Sequence, residues 1–485
     1  MYIFTMPASE WDESNPNKTA ILTLIQKHIS HVPHLQKLLR YYEGKHEILK
    51  DKERANKLVC NHSKDIADTA SSYFIGNPVS YNAGDHDINA LTEELEAAGA
   101  DEADGDNGLD LSIYGRAYEY IYTQTDETNL EIKNLSPENT FMVYDDSIEQ
   151  SELFAVYYYI QKDDSDTTGR IHYIATVLTW NYKWVFDIQQ IPSESSVISG
   201  PEPHFKGEIP VVEYLNNKLA IGDYELQIPL IDAYNALMSD RVTDKEQFID
   251  SILAIYGTIL SDEDMETEGD GEGGQKAMKK LRKEKLLEMP GEGARAEYLT
   301  RTFDENGVEV LKKAIEQDIH KFSHVPCLTD EAFGGNVSGV AMEFKLLGLE
   351  NITKIKTRYY KKGLRKRLRI FANYINTRSN ILIDSKRITA VFSRALPKNL
   401  LEISQYVGNL KGIVSKKTLI AQIPFVTDVE EELAAVEKEE QEAVERQREL
   451  FGGEPNIPPD EMQKGENEAD TEAEEDKKRE EIDAE

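Results

Sequence analysis

The chain has 485 residues, 40% of them apolar, and a formal net charge of −34. That length predicts roughly two to four domains. The charge excludes tight, passive nucleic-acid binding, which rests on Lys and Arg neutralising phosphates, but leaves open a protein that nucleic acid slides past. The charge is uneven, with close to half of it after Asp428. Two distant cysteines, Cys60 and Cys327, make no disulfide framework and fit a reducing cytoplasm. MYIFTMPASEWDESN lacks the basic and apolar regions of a signal peptide. The most apolar run, SILAIYGTIL at 251–260, is too short to cross a bilayer, so no membrane is expected.

In chain order, residues 18–42 predict a helix, with Leu22, Ile25, Ile29, Leu35, Leu38 and Leu39 at near-helical spacing. Gly44 stands where a helix stop belongs, and Pro33 should kink or divide the helix. A second helix runs from about Leu58 to Phe74 and stops at Gly76; a short one covers 88–98. From about 112 to 215 the period changes to two, in aromatic and β-branched runs separated by turn clusters. This predicts an antiparallel meander. Residues 228–260 then read as one long helix, with Asp232, Asp240, Asp244 and Asp250 on its polar face. An acidic, glycine-rich loop follows, then the basic segment KAMKKLRKEK at 276–285. Helices are predicted at 308–323 and 338–377, a returning strand at 386–393, and further helices to about 450. Residues 451–485 are acidic and nearly free of aromatics, which predicts disorder.

FGGNVSG, at 333–339, places a glycine pair and a Ser-Gly pair directly before a helix. It lacks the Lys and the hydroxyl of a phosphate-binding loop. Ser338 suits an N-cap, Val337 and Met342 a hydrophobic staple, and Gly334 and Gly335 a mobile tip. No metal-ligand spacing, nucleophile elbow or other catalytic constellation stands out, so neither an enzyme nor a cofactor or metal is expected. Between Lys354 and Arg369 lie nine basic residues and no acidic one. This run reads either as a nucleic-acid grip or as a stripe that pairs with an acidic neighbour, and Gly363 within it could mark a kink.

Several segments together resemble the portal proteins of tailed phages, of the siphophage type found in Gram-positive hosts. They are YYEGKHEI (41–48), CNHSKDIADTASSYFIGNPVSY (60–81), LSPENTFMVYDD (135–146), GEIPVVEYLNN (207–217), SDRVTDKEQFID (239–250) and SGVAMEFKLLGLEN (338–351). The resemblance implies an α+β, multidomain fold. It would comprise an antiparallel β/α wing (1–227), a stem helix (228–260), a small clip (261–305), a second stem helix (306–323) and a tunnel loop (324–337). A long kinked helix (338–377), a wing return strand (378–400), a helical C-terminal crown (401–450) and the acidic tail would follow.

The resemblance further implies a homo-oligomeric ring of about twelve subunits at a capsid vertex. Double-stranded DNA would pass through it during packaging and ejection. The partners implied are the terminase large subunit, scaffolding and major capsid proteins, and a head-completion adaptor. The location is the virion, after assembly in the host cytoplasm. Phe333, Gly334, Gly335, Asn336, Val337 and Ser338 would form the tunnel-loop tip, and Asp232, Asp240, Asp244 and Asp250 the channel-facing stem. Lys276, Lys279, Lys280 and Arg282 would face the motor or DNA at the channel mouth. Lys354, Lys356, Arg358, Lys361, Lys362, Arg365 and Arg367 would form an intersubunit basic stripe. The rival classes are a metal-dependent nuclease and an acidic, histone-like chaperone.

Overall fold

Helix α1, Lys18–Tyr42, begins where the Asn17 side chain accepts from the amides of Thr19 and Ala20. In this computed structural model it runs unbroken through Pro33. Its first half packs Ile21, Leu22, Leu24 and Ile25 under a large sheet, and its second half packs Leu35, Leu38 and Tyr41 into a separate helical core. Burial on both sides of Pro33 holds the two halves in one helix despite the missing backbone donor. The residues described are 2–84, 86–124, 128–162, 171–249, 252–256, 295–299, 305–328, 339–379, 381–394, 400–421, 423, 426 and 429–451.

The fold is α+β. The aromatic runs form two sheets rather than the single meander that their period suggests. The larger sheet has the order β1-β5-β6-β7-β8-β9, from Phe4–Met6, Thr140–Asp145, Glu152–Lys162, Ile171–Leu178, Tyr182–Gln189 and Ser196–Pro203. It is antiparallel except that β1 lies parallel to β5 at one edge. The smaller sheet joins β10 (Val211–Leu215), β3 (Arg116–Thr123) and β4 (Leu130–Leu135). Alternation along β6 explains the packing. Phe154, Val156 and Tyr158 point to α1, whereas Ala155 joins Tyr118, Met142, Leu178 and Val211 between the sheets.

Helices α2 (His62–Ile75), α3 (Asn89–Ala97) and α4 (Ala100–Tyr114) pack beside the smaller sheet. Helix α4 escaped the sequence reading because its charges and glycines blur the apolar period. Gly108 in it has a packing role, since a Cβ there would lie 2.5 Å from Ile75 Cγ2 of α2. Helix α5, Ile228–Ile249, is shorter than expected. The next described residues, Ile252–Tyr256, form β11, paired antiparallel with β12, Arg295–Leu299. The predicted helix to 260 is therefore corrected. A short apolar run bounded by polar sequence suits a strand as well as a helix, and here pairing decides.

Helix α6, Glu305–Ser323, returns alongside α5. Arg241 reaches Glu309 at 2.8 Å, and Lys245 reaches Glu305 at 2.9 Å. Helix α7, Gly339–Arg378, is one continuous 40-residue element. Strand β13, Thr389–Val391, then pairs with β2, Ser80–Asn82. Residues Met1–Leu396 form one compact unit and Pro397–Glu485 a second. The second unit contains α8 (Leu400–Leu410), α9 (Lys416–Ile420) and α10 (Val429–Phe451), with Ser415 capping α9. No helix among the described residues is long and apolar enough to cross a membrane.

Candidate functional surfaces on the long helix and the helix pair

The basic run of α7 divides between two faces. Arg367 is fully buried. Its Nε donates to Glu119 Oε1 at 2.9 Å, its Nη2 also meets Glu119, and Nη2 lies 2.7 Å from Asp104 Oδ1. Glu119 further accepts from the Tyr214 hydroxyl at 2.9 Å and from Asn107 Nδ2 at 3.1 Å, while Tyr360 donates to Asp104 at 2.5 Å. Lys356 is buried as well, 2.7 Å from Asp223 Oδ2 and 3.0 Å from Ser112 Oγ. Assigning Lys356 and Arg367 to an intersubunit stripe is therefore corrected, because both spend their charge inside the subunit. Buried charges require such partners. Gly363 lies on the same inward side, where a Cβ would come within 2.4 Å of the Tyr214 ring. Its role is close approach of helix to β10; it marks no break in α7.

The opposite face of α7 is exposed. Lys354, Arg358, Lys362 and Arg365 follow one another at helical spacing, and Lys361 is half-buried beside them, 5.6 Å above the Phe392 ring. Lys354 makes a 3.6 Å contact with Glu350. Arg358, Lys362 and Arg365 have no ion-pair partner among the described residues. Toward the N-terminus the same stripe carries the exposed apolar side chains Phe344, Leu347 and Ile355.

The carboxylates on the polar face of α5 lie in different surroundings. Tyr41 donates to both oxygens of Asp232, at 2.8 and 2.9 Å, and Asp240 pairs with Arg54. Asp232 is half-buried in its contact, Asp240 stays exposed while it pairs, Asp244 is half-buried, and Asp250 lies outside the described residues. The segment 54–60 is strapped along α5. The Leu58 amide donates to Ser239 Oγ at 2.9 Å, and the Cys60 amide to Asn235 Oδ1 at 2.7 Å. Asn56 Nδ2 reaches Glu246 at 2.6 Å and Thr243 at 3.3 Å. Sequence reading missed this strap, since its partners are polar side chains far away in the chain.

It also missed a row of carboxylates on α4. Glu102 and Asp106 are exposed and Asp110 is half-buried, one turn after another, with no cationic partner among the described residues. Burial, then Asp106 and Glu138, push Asp110 up to about 7. The spacing of four was visible in the sequence, but helix α4 had first to be recognised. Phe333, Gly334, Gly335, Asn336, Val337 and Ser338 lie outside the described residues, as do Lys276, Lys279, Lys280, Arg282 and the acidic tail.

Together these elements are a mixed two-sheet unit, a helix pair leading to a small hairpin, and a long helix pinned to the sheets. Comparison with known proteins gives this arrangement its class. Residues 21–446 match the family described as phage portal protein, SPP1 Gp6-like, and the chain belongs to that family. It is similar to the portal protein of Bacillus phage SPP1, at 24% identity over 93% of this chain and 93% of that one. It is also similar to the portal protein of Clostridium phage phiCD119, at 22% identity over 81% of this chain and 89% of that one. Among solved structures, a chain from the neck of a native GTA particle computed with C12 symmetry covers 76% of this chain and 91% of its own length. Its identity is 9% and its TM-score 0.44.

Proposed function

We propose that the chain is one subunit of a closed ring at a capsid vertex, whose central channel passes double-stranded DNA during packaging and ejection. The observation that carries this reading is the portal-family match from residue 21 to residue 446, which takes in the sheets, the helix pair and the long helix alike. The role is mechanical, and ATP hydrolysis belongs to a separate chain.

In this reading α5 and α6 form the stem, and α7 bridges the stem to a wing made of the sheets and α1–α4. The clip begins at β11, nearer residue 252 than 261, and carries Lys276, Lys279, Lys280 and Arg282 toward the terminase large subunit. Residues 324–337 form the tunnel loop, with Gly334 and Gly335 letting its tip follow the duplex. The crown helices α8–α10 face the head interior, where scaffolding is met, and the wing meets major capsid protein. A head-completion adaptor docks outside. Subunits assemble in the host cytoplasm before entering the virion.

The charge supports a conduit. Each phosphate contact adds affinity through counterion release, so a channel rich in cations would retain the duplex. Asp232, Asp240, Asp244 and Asp250 are the stem carboxylates assigned to the passage, and Asp240 is exposed even while it pairs with Arg54; a wall of that sign offers DNA no deep electrostatic well. The native mass of the purified protein, with negative-stain images of the same sample, tests the reading. Rings of about twelve subunits with a central hole are expected. A monomer at every concentration and salt, with and without scaffolding protein, would overturn it.

A further inference from the structure

A cyclic ring with head-to-tail contacts needs two different surfaces on each subunit, complementary and facing apart. The first candidate surface is the outer stripe of α7. Phe344, Leu347, Ile355, Arg358, Lys362 and Arg365 fall within one third of the helix circumference, at about 100° per residue. They are exposed in the subunit, apolar at one end and cationic at the other. A solvated face needs no such apolar end, and unpaired cations are unexpected in a chain of net charge −34.

The second surface is the outer ridge of α4, the exposed Glu102 and Asp106, with the half-buried Asp110 at its end. Eight residues of helix separate its ends, about 12 Å; Arg358 to Arg365 is about 10.5 Å. The two rows thus match in pitch and length and oppose in sign. Their placement also fits. Asp104, on the inner side of α4, touches Tyr360 and Arg367, on the inner side of α7. Glu102 and Asp106 point away from that shared contact, as do Arg358 and Arg365, so the two rows look outward on opposite sides of the subunit. Within one subunit they cannot meet.

We propose that neighbouring subunits are keyed together by the basic row of α7 on one copy, Arg358, Lys362 and Arg365, against the acidic row of α4 on the next, Glu102, Asp106 and Asp110. The inference rests on the ring reading given above and adds the surfaces that close the ring. Phe344, Leu347 and Ile355 extend the same contact and give it apolar area. Asp110, raised first by burial and then by Asp106 and Glu138, has no cationic partner among the described residues; the neighbour's cations would relieve the part owed to repulsion.

The test uses two full-length variants, each altered only at exposed positions. One carries Arg358→Glu, Lys362→Glu and Arg365→Glu; the other carries Glu102→Lys and Asp106→Lys. Each alone sets like charges against like at every junction, so each is expected to remain monomeric where the unaltered protein forms rings. Mixed in equal amounts, they are expected to form rings with the two variants alternating, seen as equal copy numbers in native mass spectrometry. Far-ultraviolet circular dichroism and thermal melting of each monomer, matched to the unaltered chain, establish folding. If a variant melts early, the Gln versions at the same positions replace it, with ring loss expected at lower salt than for the unaltered protein.

Rings from either reversed variant alone would overturn the proposal. So would a folded pair that fails to assemble on mixing. If the basic row instead serves DNA, its reversal leaves rings intact and lowers DNA retention, which overturns the proposal too. Failure of the unaltered protein to form rings under any condition counts against the ring itself, and is thereby distinguished from failure of this contact.

Discussion

Arg367 and Glu119 lie 248 residues apart in sequence and meet as a fully buried ion pair, with two nitrogens of one on two oxygens of the other. One belongs to α7 and the other to β3 of the smaller sheet, so the pair fixes the register of a 40-residue helix against the body of the subunit. Its net contribution to stability is modest, because desolvation offsets most of the attraction. Breaking it on one side is another matter. Arg367→Ala leaves Glu119 and Asp104 buried without their cation and is expected to cost about 3–5 kcal/mol in urea unfolding of the subunit. Arg367→Met with Glu119→Gln should recover a substantial part. An effect below about 1 kcal/mol for Arg367→Ala would contradict the burial described.

Gly363→Ala is the smallest change expected to disturb the same contact. The new methyl would meet the Tyr214 ring at 2.4 Å, in a place where the ring stacks on Tyr360 with centroids 4.4 Å apart. Overpacking of this kind costs about 1–3 kcal/mol. Combining it with Tyr214→Leu should cost less than the sum of the two single changes in a double-mutant cycle. Simple additivity would show that the helix and β10 are not in contact there.

The acid side of the stability curve should carry the signature of His28. Burial lowers its pKa from 6.5 to about 4, despite the Pro137 carbonyl, which favours the charged form. The Tyr158 hydroxyl is 2.7 Å from Nδ1, and the Pro137 carbonyl is 3.1 Å from Nε2. A neutral ring donating to Pro137 and accepting from Tyr158 satisfies both. The unfolded chain therefore takes up the proton first as pH falls. Stability from this group is complete above pH 6.5 and is lost between there and about 4. His28→Gln should be less stable at pH 8, and its stability should fall less steeply over that window. Parallel curves for the two proteins would refute the assignment.

Asp110 predicts the opposite slope. Its pKa rises from 3.8 to about 7, so the folded subunit holds a proton that the unfolded chain releases. Stability from this group is present below 3.8 and is lost as pH rises through 7. Asp110→Asn should stabilise the isolated subunit at pH 8, by on the order of 1 kcal/mol, and leave pH 3.5 nearly unchanged. A loss of stability at pH 8 would mean that the carboxylate has a favourable partner.

Long periodic elements were legible from sequence: α1, α6 and α7 each sustain an apolar stripe over several turns, and tertiary packing agrees with it. The basic run of α7 was legible as charge but not as two faces. Nothing local distinguishes Arg367 from Arg365, because what buries Arg367 is a pair of carboxylates on α4 and β3. SILAIYGTIL failed for a different reason, since its strand is defined by β12 about forty residues later. The partners of Asp232 and Asp240 could not be read locally, because Tyr41 and Arg54 come from the other side of the sheets in sequence. Periodicity reports which residues share a face; it does not report what the face meets.

The strap along α5 has a consequence for how the subunit comes apart. Residues 54–60 have no regular structure and include Arg54 and Lys57, the kind of link that trypsin ordinarily cuts first. Here the amides of Leu58 and Cys60 are fastened to Ser239 and Asn235, and Arg54 is held by Asp240. A protease must draw out several residues in extended form before it can engage either bond. The nick is withheld for as long as α5 keeps its grip, so the rate of cleavage after Arg54 or Lys57 becomes a clock for the unfastening of that helix.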